Sequence, residues 1–198
     1  ATLVRARETV WDLRFKPGDE AARVLPLDDL PADSFYTLRA WIPGTQKVLL
    51  QTYTASGGAL LTGGQLLVAD TLAATVTRYD ARAPLDDAAF AFRPARAGDP
   101  APLLAFLTSG AGGPEARGPE GGSGGRLALL DFETNQLRYP LPEGAAPTGL
   151  AWQPDGARLA FSINGLAADA SEEARRVFPA PGIYLLDPRA TSIGGSGA

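Results

Sequence analysis

An all-β fold, built from antiparallel four-stranded sheets repeated along the chain, is predicted by three features of the sequence. Short apolar runs are separated by turn residues, and the 23 Gly and 17 Pro fall mainly between those runs, as many tight turns require. A glycine-led apolar strand closed by an aspartate recurs as Gly63-Gly64-Gln65-Leu66-Leu67-Val68-Ala69-Asp70, Gly124-Gly125-Arg126-Leu127-Ala128-Leu129-Leu130-Asp131 and Pro181-Gly182-Ile183-Tyr184-Leu185-Leu186-Asp187. Before each lies an aromatic-x-Pro turn that leads into another apolar strand, at Trp41-Ile42-Pro43, Phe92-Arg93-Pro94 and Trp152-Gln153-Pro154. Self-similarity of this kind turns separate strand predictions into one statement about architecture.

Residues 1–35 form a partial repeat or extension. Phe15-Lys16-Pro17-Gly18 carries the aromatic turn but precedes Trp41 by only 26 residues, so Thr9 to Leu27 is expected to make half a sheet. Residues 36–80 form the first full repeat: an opening strand, the turn at Trp41, Val48-Leu49-Leu50, the strand ending at Asp70, and the more polar Thr75-Val76-Thr77-Arg78-Tyr79. Residues 81–141 form the second, with Leu103-Leu104-Ala105-Phe106, a glycine-rich insertion at 109–125, and Gln136-Leu137-Arg138-Tyr139, which alternates as a half-exposed edge strand should. The Arg-Tyr pair recurs in register. Residues 142–192 form the third, with Leu159-Ala160-Phe161 and an insertion at 166–181; residues 193–198 read as a flexible tail.

Continuous apolar character in the inner strands fits sheets covered on both faces, as when neighbouring blades stack around an axis. The predicted fold is therefore a β-propeller with about three blades present. Ala151-Trp152-Gln153-Pro154-Asp155-Gly156-Ala157-Arg158-Leu159-Ala160-Phe161-Ser162 resembles the repeat of TolB-type, WD-repeat-like propellers, and Gly182-Ile183-Tyr184-Leu185-Leu186-Asp187 is similar to that repeat's third strand. The resemblance extends over about residues 36–192 and is closest in 145–192. It implies a circular scaffold, extracellular or in the periplasm or cell envelope, that binds proteins, peptides or sugars and sometimes gates an attached peptidase domain. It supplies no catalytic residue. A ring closes with roughly four to eight blades, so the expectation is an incomplete ring, either a piece of a longer polypeptide or closed by assembly. The start at Ala1, without a methionine or a signal-like segment, fits a processed or excised product.

Composition narrows the chemistry. A chain of 198 residues with 45% hydrophobic content can bury a sizeable core. Its net charge is −4, and its 18 basic residues, of which only Lys16 and Lys47 are lysines, form no cluster. Nucleic acid and direct membrane insertion are accordingly not expected. The absence of Cys and His removes disulfides, thiolate sites, the usual zinc sets and the His-dependent nucleophile systems. No catalytic residue, cofactor or metal ligand is assigned.

Loops between second and third strands share one face of a propeller with the connections between blades, and binding sites tend to lie there. These loops are Ala55 to Thr62, Ser109 to Ser123 and Leu166 to Pro181. The glycine-rich one lacks a Gly-Lys-Ser/Thr ending and so gives no phosphate cradle. In the last, Ser171 is placed to cap a short helix with Glu172 and Glu173 at its positive end and Arg175 and Arg176 at its negative end. The pairs Asp28-Asp29, Asp86-Asp87 and Glu172-Glu173 do not form a spaced calcium loop and read as solvated turns or a helix start. Trp41, Phe92 and Trp152 recur at one repeat position, which points to core packing, whereas Trp11 and Tyr53 stand outside the pattern. Candidate partner contacts are Asp86, Asp87, Tyr53, Trp11, Glu172, Arg175 and Arg176. The expected function is a non-enzymatic interaction or structural module that binds a protein or other copies of the chain, with any small ligand left open. The alternative is a substrate-gating or carbohydrate-binding segment of a larger hydrolase; an independent carboxylate-based hydrolase is the weakest reading.

Overall fold

Burial along the strands shows where each sheet finds its core, alternating over Trp11–Phe15, Arg23–Leu27 and Leu159–Leu166 and continuous over most of Leu103–Leu107 and Leu127–Asp131. The computed structural model describes residues 1–6, 11–16, 21–56, 60–94, 102–108 and 125–189. The chain divides into two compact units, Ala1–Leu85 and Asp86–Ala198. Every sheet among the described residues is an antiparallel meander, each strand pairing with the next in sequence. Among the described residues the fold is all-β with one short α-helix.

In the first unit, β1 (Thr2–Arg5), β2 (Trp11–Phe15) and β3 (Arg23–Leu27) make a three-stranded sheet. This N-terminal stretch is fuller than expected, because β1 adds a third strand beside the two that lie between Thr9 and Leu27. Pro26 sits in β3, an edge strand, which is where a sheet tolerates a missing N–H. The next sheet is β4 (Ser34–Trp41), β5 (Lys47–Ser56), β6 (Leu60–Asp70) and β7 (Thr75–Arg82), in that order. β5 and β6 pair out to Ser56 and Leu60, so strand occupies most of what was expected to be a loop at Ala55 to Thr62. Leu60, Leu61 and Thr62 suit a strand and favour pairing over a loop on the β6 side. Leu13, Phe15, Leu25 and Leu27 of the first sheet pack on Tyr36, Val48, Leu50, Leu67 and Ala69 of the second. Each fully buried leucine contributes roughly 1.5–3 kcal/mol to folding.

In the second unit, β8 (Phe90–Phe92), β9 (Leu103–Leu107), β10 (Leu127–Asp131) and β11 (Gln136–Arg138) form a four-stranded sheet. β12 (Ala145–Trp152), β13 (Leu159–Leu166) and β14 (Gly182–Leu186) form a three-stranded one. Leu103, Ala105, Leu127 and Leu129 share a core with Leu159, Phe161, Ile163 and Leu186. Leu104, Phe106, Ala128 and Leu130 alternate with the first four and are also fully buried, which explains the unbroken apolar runs of β9 and β10. Trp152 donates its indole N–H to the Ala91 carbonyl at 2.8 Å, and Phe92 stacks on Phe132. Trp41 departs from the expectation of core packing: it stands at the end of edge strand β4 and is 43% exposed.

The recurring aspartates are turn formers. Asp70 accepts from the N–H groups of Leu72 and Ala73, Asp131 from those of Glu133 and Thr134, and Asp187 from that of Arg189. Four residues after the first two aspartates, Ala74 (φ 54°) and Asn135 (φ 55°) adopt the left-handed conformation that turns the chain into β7 and β11. Most of the glycine-rich insertion at 109–125 and the whole tail at 193–198 lie outside the described residues.

Candidate functional site

Polarity changes along the face of the second sheet that meets the first. Along β5 this face runs Val48, Leu50, Thr52, Thr54, and β7 follows the same course through Val76, Arg78, Asp80 and Arg82. The aliphatic half closes on the first sheet. The polar half does not, because burying hydroxyls and charges without partners costs more than it returns. A cavity of about 550 Å³ remains there, rimmed by Leu30 and Pro31 from the connection between β3 and β4.

Hydrogen bonds hold its walls. Ser34 Oγ and Thr54 Oγ1 lie 3.2 Å apart across the β4–β5 pair, and Thr52 Oγ1 accepts from the Gln65 N–H at 2.9 Å. Arg78 pairs with the Asp28 carboxylate, while Tyr36 donates its hydroxyl to the Asp28 carbonyl at 3.1 Å. Burial, reinforced by the nearby negative charge of Asp29, raises the Tyr36 pKa above that of a free tyrosine. Among the described residues neither Asp80 nor Arg82 has a side-chain hydrogen-bond or ion-pair partner, and both are exposed on the cavity side. The leading glycines of β6 are required by packing: a Cβ on Gly63 would lie 2.0 Å from the Ala83 carbonyl oxygen, and one on Gly64 would lie 2.4 Å from Thr52 Oγ1.

The residues singled out from the sequence do not converge on this cavity. Trp11 and Tyr53 are joined through Phe35, which meets Trp11 edge-on at 6.3 Å and stacks on Tyr53 at 5.2 Å, with the Arg5 guanidinium over both Trp11 and Phe35. They form a half-buried aromatic cluster, and among the described residues the buried Trp11 indole N–H has no hydrogen-bond partner. Asp86 accepts from the Ala88 N–H and caps the single 3-10 turn at Asp87–Ala89, which accounts for it structurally. Asp87 is exposed in that turn. Helix α1 (Glu172–Val177) is capped by Ser171, whose Oγ accepts from the Ala174 N–H. Glu172 and Arg176 are exposed on it, whereas Arg175 folds back onto the carbonyls of Ala168 and Ala170.

The cavity residues Ser34, Thr52, Thr54, Asp80 and Arg82 were not singled out from the sequence. One signal did bear on its rim: Pro26-Leu27-Asp28-Asp29 recurs as Pro84-Leu85-Asp86-Asp87 and, in looser form, Pro140-Leu141-Pro142-Glu143, each leading out of one sheet toward the next. Among the described residues no group of three or more carboxylates could hold a metal ion, and no helix is long and apolar enough to cross a membrane. No protein-family model matches the chain, and no curated protein matches it significantly.

Proposed function

We propose that this chain is a segment of a TolB-like β-propeller that serves as a non-enzymatic interaction module, its sheets being blades and its partner a protein of an extracellular or cell-envelope assembly. The observation that carries the reading is the repeated unit itself. Meander after meander is joined by a short connection; the third strands β6 and β10 end in an aspartate that accepts two turn N–H groups, and Asp187, directly after β14, accepts from the Arg189 N–H. Radial repetition of such meanders is what a propeller requires. The chain offers no His or Cys for catalysis. The loop carrying α1 presents Glu172 and Arg176 to solvent on a capped scaffold, as suits a contact surface.

Cross-linking from α1 tests the reading. A photo-reactive residue at Arg176 in the native polypeptide, expressed in its own cell, is expected to trap one discrete protein product. The same residue at Arg14, on the first sheet, should not give that product. Identical adducts from both positions, or none from Arg176, would count against a contact surface on the α1 loop.

A further inference from the structure

We infer that the cavity of the first unit is a binding site for a small carboxylate-bearing polyol, of the size and chemistry of a uronic acid. The inference does not depend on propeller closure, because every residue lining the cavity belongs to Ala1–Leu85.

Two packed sheets close readily when their facing residues are aliphatic, as Val48, Leu50, Leu67 and Ala69 do on the other half of the same face. A volume near 550 Å³ lies within the range of small-molecule sites, and its polar lining favours a polar occupant. Ser34, Thr52 and Thr54 supply hydroxyls that both donate and accept, the pattern that ligand hydroxyls match.

The charges select the ligand further. Arg78 is neutralised by Asp28, which leaves Arg82 as the guanidinium available for a carboxylate. Asp80, two residues away on the same strand, accepts hydrogen bonds from hydroxyls and repels a multiply charged anion such as phosphate. A neutral sugar would make no charge-assisted contact with Arg82, and a carboxylate as small as acetate would fill little of a cavity of about 550 Å³. The apolar rim of Leu30 and Pro31 suits the C–H face of a ring.

Amide NMR titration of the full chain with sodium glucuronate, methyl glucoside and sodium acetate tests the assignment. Saturable shifts are expected at Thr54, Gly63, Gly64 and Arg82 with glucuronate, and affinity for methyl glucoside and for acetate at least about tenfold weaker. Arg82→Gln should lower glucuronate affinity about tenfold or more, and the near-isosteric Thr54→Val by a smaller factor, each with the spectrum unchanged away from the cavity. Absence of saturable glucuronate binding overturns the inference. So does equal affinity for either of the other two probes, or undiminished binding in Arg82→Gln.

Discussion

Replacing Asp131 by alanine tests whether the recurring aspartates fold the chain or serve a ligand. The Asp131 carboxylate accepts two backbone N–H groups, from Glu133 at 2.9 Å and Thr134 at 3.0 Å. A hydrogen bond of this kind contributes about 0.5–1.5 kcal/mol net, and exposure of the turn lets water replace part of what is lost. Asp131→Ala should therefore cost about 1–2 kcal/mol, similar to the loss of a helix cap. Asparagine keeps an acceptor at the same place, so Asp131→Asn should cost less than about 0.5 kcal/mol. Urea unfolding followed by Trp152 fluorescence, with Trp11 and Trp41 replaced by phenylalanine, reports on the second unit, because Trp152 is its single tryptophan. An unchanged midpoint in Asp131→Ala would refute the turn role. Equal destabilisation by alanine and asparagine would mean that the charge, and not the acceptor, is what matters.

Other expectations follow from the same geometry. Ala74 carries φ 54° where the equivalent turn has Asn135, so Ala74→Gly should raise stability by up to about 1 kcal/mol in thermal unfolding. Gly63→Ala should destabilise by more than about 2 kcal/mol or prevent folding of the first unit, read by circular dichroism, since its Cβ has no room beside the Ala83 carbonyl. Ser171→Ala should cost about 1 kcal/mol and speed hydrogen exchange in α1, because it removes both the cap and the bond to the Glu143 carbonyl. Tyr36 holds its proton more tightly folded than unfolded. Its contribution is complete below the unfolded value near 10 and is lost as pH rises through the higher folded value. Stability measured across that alkaline range should fall less steeply in Tyr36→Phe.

The strands and their order were legible in the sequence where local chemistry determined them. Glycine-led apolar runs closed by Asp70, Asp131 and Asp187 became β6, β10 and β14, since apolar strands and Asx turns depend on residues close in sequence. Helix α1 was legible for the same reason, through Ser171 and the charges that follow it. Less was legible where distant segments decide the outcome. The five residues Thr2–Ala6 carry no turn motif, and β1 is defined by its pairing with β2. Trp41 shares a motif with Trp152, yet one is exposed at a sheet edge while the other finds the Ala91 carbonyl.

The cavity was hidden for a related reason. Thr52 and Thr54 are ordinary strand residues until the connection through Leu30 and Pro31 crosses in front of them. Asp80 and Arg82 likewise read as the solvated side of an edge strand. Trp11 and Tyr53, by contrast, stand out in the sequence because they break the repeat, and Phe35 between them gives that break a packing role.

A cryo-electron microscopy map of the polypeptide as its gene encodes it would test the propeller account most directly. The account predicts sheets arranged radially about one axis, with the opening strands β4, β8 and β12 nearest that axis and β7 and β11 at the periphery. Sheets stacked in an open row, or opening strands lying on the outside, would contradict it.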